Sequence, residues 1–217
     1  MIDDWIPLDR GFFNRPVLEV APELLGTVLC HDAGPDGVVA VRLTEVEAYG
    51  GADDPGSHGY RGQTPRNSVM FGAPGLLYIY FTYGMHWCAN LVTGPVGSPS
   101  AVLLRAGEIV AGLPAARQRR PGAHADRDLA RGPARLTVAL GLTKQHNGLD
   151  TVAAGSPVRF GRSAIATERP AGTVLASART GVGGDGAHFP WRFCLAGEPS
   201  VSPYKPHVPK RRNSVAP

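Results

Sequence analysis

Alternating apolar and polar runs, broken by glycine- and proline-rich turns, limit this chain to a fold of strands and turns rather than a helical bundle; it holds 28 glycines and 20 prolines. Val38 to Tyr49 is strand-like by its β-branched content, and Val39, Val41 and Leu43 share one phase of it. Leu76–Tyr83 and Met85–Thr93 are two further strand-like runs that meet at Tyr83-Gly84, a hairpin tip. On the first of these, Tyr78 and Tyr80 share a face opposite Leu77, Ile79 and Phe81. Ser100–Val110 reads as another strand.

The phase that begins at Val39 runs on through Glu45 and Glu47. A core-facing phase that ends in carboxylates is unusual, because buried acids are costly unless paired or hydrogen-bonded. Either Glu47 sits at the mouth of a pocket, or a bulge or strand end turns both acids to water. Between Asp54 and Glu108 there is no acid at all, while the same span carries Arg61, Arg66, Arg105, His58 and His86 and the aromatic run LLYIYFTYGMHW. A basic, aromatic, acid-free surface beside one acidic strand suggests a nucleic-acid site with a carboxylate at its centre. The plainer alternative is a core hairpin that happens to lack acids.

At 217 residues the chain suits one domain with a real core. Its formal charge of +4 is carried by the end of the chain: Lys205, Lys210, Arg211 and Arg212 follow the last acid, Glu198. Cys30, Cys88 and Cys194 are scattered and have no zinc or disulfide spacing. No run is apolar enough to span a membrane and MIDDWIPLDR is unlike a signal peptide, so a reducing cytoplasm is expected. Phe12 and Phe13 are expected to anchor an N-terminal arm, and APELLG to form a helix with Pro22 in its first turn and Gly26 as its stop. Thr27 to His31 reads as a strand, 111–128 as a mobile basic loop, 131–142 as a helix, and 151–161, 164–168 and 190–197 as strands. Residues 203–217 read as a proline-rich, flexible basic tail to a domain spanning 1–202.

Together, EAY at 47–49, His58, QTPRN at 63–67, MF–PG at 70–75, YGM at 83–85 and VLLRA at 102–106 resemble the alkyladenine DNA glycosylases, also called 3-methyladenine or methylpurine DNA glycosylases. FFNRPVLEVAPELLG, RGPARLTVALGL and ARTGVG agree with that order, so the resemblance covers roughly residues 10 to 202. It implies an α+β fold: one domain, a curved antiparallel sheet carrying the site, and surrounding helices. It also implies a monomer that flips damaged purines out of duplex DNA through the minor groove and hydrolyses the N-glycosidic bond. Glu47 would activate the water, and Arg105 would hold water or phosphate near the sugar. Tyr49, His58, Tyr80 and Asn90 would bind the base. Tyr83, with Met85 beside it, would intercalate, and Arg61 and Arg66 would meet the DNA backbone. His86 and Trp87 depart from the family pattern after YGM.

Lys144 is the one lysine of the body, far in sequence from the acidic strand, which favours monofunctional hydrolysis over lyase chemistry. The histidines form no metal-binding grouping, and no metal or other cofactor is expected. The main alternative is a non-catalytic damaged-DNA binder on the same fold. An RNA-binding β-platform and a small-nucleoside hydrolase are weaker alternatives.

Overall fold

The computed structural model describes residues 5–82, 84–163 and 173–208. Among them nine strands form one antiparallel sheet: β1 (Ile6–Pro7), β2 (Val28–Asp32), β3 (Val38–Tyr49), β4 (Leu77–Thr82), β5 (His86–Thr93), β6 (Ser100–Ala111), β7 (Val158–Arg162), β8 (Val174–Ser177) and β9 (Arg192–Leu195). The main path runs β1-β7-β2-β3-β6-β5-β4. Along one edge of β3 the partner changes: Val38–Arg42 pair with β2, and Glu45–Glu47 with β9, which in turn pairs with β8. Four helices pack with the sheet: α1 (Arg10–Phe13), α2 (Val17–Leu24), α3 (Leu113–Arg119) and α4 (Pro133–Leu140). This is a single α+β domain, as expected, and no helix among the described residues is long and apolar enough to cross a membrane.

The partner change on β3 coincides with a double irregularity against β6. The register passes from Leu43↔Gly107 to Glu45↔Ala106 and then to Val46↔Leu104, so Thr44 is extra on β3 and Arg105 is extra on β6. A bulge of this kind shifts the alternation by one residue. Val39, Val41 and Leu43 face the core before it; Val46 and Ala48 face the core after it. The expectation that one core-facing phase runs through Glu45 and Glu47 is therefore corrected. The bulge turns both acids onto the opposite face, yet not to water, since each is 0% exposed. Gly107 permits the irregularity, because a Cβ there would lie 2.4 Å from the Arg42 carbonyl oxygen.

Beyond the bulge the two faces are cleanly divided. Ala48, Leu77, Ile79, Ala89, Leu91, Val102 and Leu104 join the main core with Leu136, Ala139 and Leu140 of α4. The other face carries Glu45, Glu47, Tyr78, Tyr80, Asn90 and Arg105, whose positions alternate with those core residues.

Several local expectations are corrected. α2 starts at Val17, after Pro16, and Pro22 lies in its last turn rather than its first. The 111–128 segment is ordered structure, not a mobile loop. It contains α3, whose Ala116 is fully buried and whose Arg119 donates to the carbonyls of Ala139 and Asp36 at 3.1 and 2.8 Å, followed by a 3-10 turn at Asp126–Asp128. The strand expected over 151–161 is confined to β7, because 151–155 form turns. The strand expected over 164–168 and the residue Tyr83 lie outside the described residues. Cys30, Cys88 and Cys194 are free and buried.

Candidate active site

Glu47 is held by three donors from three parts of the chain. Its Oε2 accepts from Tyr49 Oη and from Arg105 Nη1, both at 3.0 Å, and its Oε1 accepts from the Thr180 backbone N–H at 2.6 Å. Tyr49 follows on the same face of β3, Arg105 is the extra residue of β6, and Thr180 comes from the loop between β8 and β9. The Thr180 hydroxyl is buried and has no hydrogen-bond partner among the described residues. Glu45 sits behind this group: its Oε1 accepts from Arg105 Nε at 2.6 Å, Arg192 Nε at 2.8 Å and Ser202 Oγ at 2.9 Å. Its Oε2 accepts from the Ser202 N–H at 2.7 Å.

Two carboxylates and two guanidiniums thus balance in a nearly dry setting. Burial would raise the Glu45 carboxyl, but the charges of Arg105 and Arg192 outweigh it and hold the group below the usual carboxylate range. Burial opposes the Arg105 charge, but Glu47 and Glu45 restore it, so the guanidinium stays protonated. Burial, with the Glu47 charge in second place, pushes the Tyr49 phenol well above its ordinary value, which keeps it a donor.

A small pocket, open to solvent, adjoins this group. Tyr49, His58, Tyr80 and Asn90 line it, with Gly56, Met70 and Tyr78 completing its walls. The rings of Tyr78 and Tyr80 lie 5.6 Å apart, and the His58 ring meets Tyr80 edge-on at 4.6 Å. His58 Nδ1 shares a hydrogen bond of 3.1 Å with Tyr78 Oη. One side of His58 is open to solvent; desolvation on the other, with the Arg66 charge, lowers its pKa and favours the neutral ring. Burial, then contact with Cys88, raises the Tyr80 phenol. Asn90 is fixed by its Nδ2 donating to the Tyr78 carbonyl at 3.1 Å.

Tyr49 is backed by a second buried ion pair. The Arg179 guanidinium lies 4.6 Å from the centre of the Tyr49 ring and 5.2 Å from that of Trp191. It grips Asp54 through two nitrogens, with Nη2 to Oδ1 at 2.6 Å, and both side chains are fully buried. Gly56 allows this approach, since a Cβ there would lie 2.6 Å from Arg179 Nη2.

The structure therefore gathers Tyr49, His58, Tyr80 and Asn90 in one pocket and sets Glu47 and Arg105 against it through Tyr49. Arg66 is exposed, donates to the Phe81 carbonyl at 3.2 Å and lies 5.9 Å over the Tyr80 ring. Arg61 is exposed on the same loop. Met85, 69% exposed, lies in the turn between β4 and β5. Sequence reasoning missed Thr180, Asp54, Arg179, Arg192 and Ser202. Thr180 acts through its backbone, which no side-chain pattern can signal, although ARTGVG was already a recognisable motif.

A buried, triply held carboxylate thus lies against an aromatic pocket. Residues 11–199 match the family model of methylpurine-DNA glycosylase. The chain is 54% identical over 212 residues to a protein of Streptomyces avermitilis, covering 97% of this chain and 98% of that one. It is 54% identical to one of Leifsonia xyli subsp. xyli, covering 91% and 92%, and 50% identical to one of Frankia casuarinae, covering 96% and 97%. All three are named, provisionally, as 3-methyladenine DNA glycosylases. The chain belongs to the methylpurine-DNA glycosylase family of DNA repair enzymes, hydrolases of N-glycosyl bonds.

Proposed function

We propose that this enzyme excises alkylated purines, 3-methyladenine among them, from duplex DNA with a water activated by Glu47. The observation that carries the reading is the double role of Tyr49: its ring lines the pocket and its hydroxyl holds Glu47 Oε2. A base in the pocket would thus lie next to the carboxylate that acts on its sugar.

The damaged base leaves the stack at a cost of a few kcal/mol, less for a lesion than for a paired base. Tyr49 and Tyr80 stack on it, and His58 and Asn90 meet its edge, with Asn90 crowding a guanine 2-amino group. Electron-rich ring faces favour a cationic alkylpurine by about 0.5–2 kcal/mol. The bond between C1′ and the base nitrogen breaks with its electron pair going to the base, so a cationic base departs neutral. The sugar left behind is oxocarbenium-like, and the Glu47 carboxylate stabilises that charge. The water oxygen bonds to C1′ and its proton passes to Glu47. A neutral lesion such as hypoxanthine needs a proton on departure as well.

Arg61 and Arg66 contact phosphates, and Tyr83 with Met85 fills the gap in the duplex from the hairpin tip. Lys144 is exposed on a short 3-10 turn beside β4, whereas Glu47 is enclosed by β6 and the 178–202 segment, which favours water over the Lys144 amine as the nucleophile. The test is a single-turnover assay on a duplex carrying hypoxanthine or an alkylated adenine. Base release that leaves the strand intact until alkali treatment supports the reading; strand cleavage without alkali contradicts monofunctional hydrolysis.

A further inference from the structure

We infer that Glu45 is a positioning residue for excision, holding Arg105 so that one arm of its guanidinium, not the whole fork, reaches Glu47. The inference rests on Glu47 as the water-activating carboxylate.

A guanidinium and a carboxylate left to themselves favour two parallel hydrogen bonds. Arg105 could make that pair with Glu47 but does not. Its Nε lies 2.6 Å from Glu45 Oε1, and Nη1 alone lies 3.0 Å from Glu47 Oε2. Among the described residues, Glu47 Oε1 consequently keeps the Thr180 N–H and no guanidinium nitrogen.

Glu45 is the fixed end of this arrangement. It is 0% exposed, and both of its oxygens are taken up by protein donors. Besides Arg105 it is bound by Arg192 and by both the N–H and Oγ of Ser202. Arg192 is itself tied down by donation to the Ser202 carbonyl at 2.9 Å and Ser177 Oγ at 3.1 Å. The bulge makes the geometry possible, because Arg105 is the unpaired residue of β6 opposite the step from Glu45 to Val46.

Without the Glu45 charge, nothing would hold Nε of Arg105 away from Glu47, and the Arg105 fork would be free to close on it. A carboxylate so neutralised stabilises a cationic sugar poorly and accepts a proton poorly. The base pocket is lined by other residues, so chemistry suffers and lesion binding does not.

The experiment is a double-mutant cycle in the full-length protein, using a duplex with one alkylated adenine. Single-turnover rates and dissociation constants are measured for wild type, Glu45→Gln, Arg105→Gln and the double variant, with thermal unfolding followed alongside. Glu45→Gln is expected to slow excision about ten-fold or more while lesion affinity changes less than about two-fold. In the Arg105→Gln background the same change is expected to alter the rate by less than about two-fold, since the residue it acts through is gone. Equal loss in both backgrounds, or a folded Glu45→Gln protein with the wild-type rate, overturns the inference. If Glu45→Gln does not fold, Glu45→Asp, which shortens the reach to Arg105, takes its place in the cycle. It is expected to show a smaller loss of rate with unchanged affinity, and a wild-type rate there overturns the inference equally. Glu47→Gln runs in parallel: if it still excises, the underlying reading has failed, whereas a dead Glu47→Gln beside an unaffected Glu45→Gln removes the positioning role alone.

Discussion

Tyr49 donates its phenolic hydrogen to Glu47 Oε2 at 3.0 Å from two residues further along the same strand face. The contact is therefore fixed by the strand itself. A hydrogen bond to a charged acceptor contributes about 1.5–3 kcal/mol. Tyr49→Phe keeps the stacking ring and removes that donor. It is expected to slow single-turnover excision roughly ten- to hundred-fold, by the same range of energies, with lesion affinity nearly unchanged. An unchanged rate would show that this hydrogen bond does not orient the carboxylate.

The Arg179–Asp54 pair, buried on both sides, is expected to dominate local stability. Removing one partner of such a pair leaves an uncompensated charge and costs about 3–5 kcal/mol. Asp54→Ala is expected to lose stability in that range in urea unfolding and to weaken lesion binding through the loosened Tyr49 ring. A loss below about 1 kcal/mol would put the pair on a par with exposed ion pairs.

His31 gives the fold a sensitivity to mild acid. It is 3% exposed and bonds through Nδ1 to the Leu140 carbonyl at 2.7 Å, with the His146 ring 4.7 Å away. Burial lowers its pKa more than that carbonyl raises it, so the native state resists protonation. The unfolded chain takes up the proton first as pH falls through about 6.5. The unfolded state then binds more protons, so the His31 contribution is complete above that pH and is lost as pH falls below it. The melting temperature is expected to decline between pH 7.5 and 5.5. His31→Asn, which can still donate to Leu140, is expected to show a shallower decline. Parallel curves would mean that other groups set the slope.

Arg61 is exposed and is proposed to meet a phosphate. Replacing one phosphate-contacting arginine reduces the slope of log affinity against log salt by about one. Arg61→Ala is expected to show that change with the excision rate of bound substrate unaltered. An unaltered salt slope would take Arg61 off the DNA path.

Much of this was legible in the sequence because strand alternation and turn residues act locally. β3 was bounded correctly from β-branched content, and Tyr78 and Tyr80 were set opposite Leu77 and Ile79 by period alone. What escaped was non-local. A bulge is one of the two sequence readings of β3, but its place at Thr44 and Arg105 arises from the pairing of two distant strands, and it turns Glu45 and Glu47 to the other face without exposing them. The ordering of 111–128 comes from Arg119 reaching carbonyls of two other segments. Thr180 reaches Glu47 through its backbone N–H, and Ser202 reaches Glu45 through its N–H as well as its Oγ; a backbone N–H carries no residue-type signature. Even the start of the proposed tail is engaged, for the Lys205 carbonyl accepts from the Gly181 N–H at 3.1 Å, next to Thr180.

The most direct measurement is the excision rate and lesion affinity of Glu47→Gln on a duplex carrying one alkylated adenine. Gln is close to Glu in size and lacks the charge, so the pocket persists while the base is gone. The account predicts lesion-selective binding within a few-fold of wild type and no detectable release of the base. Release at a rate near wild type would contradict it and remove Glu47 from the centre of the site.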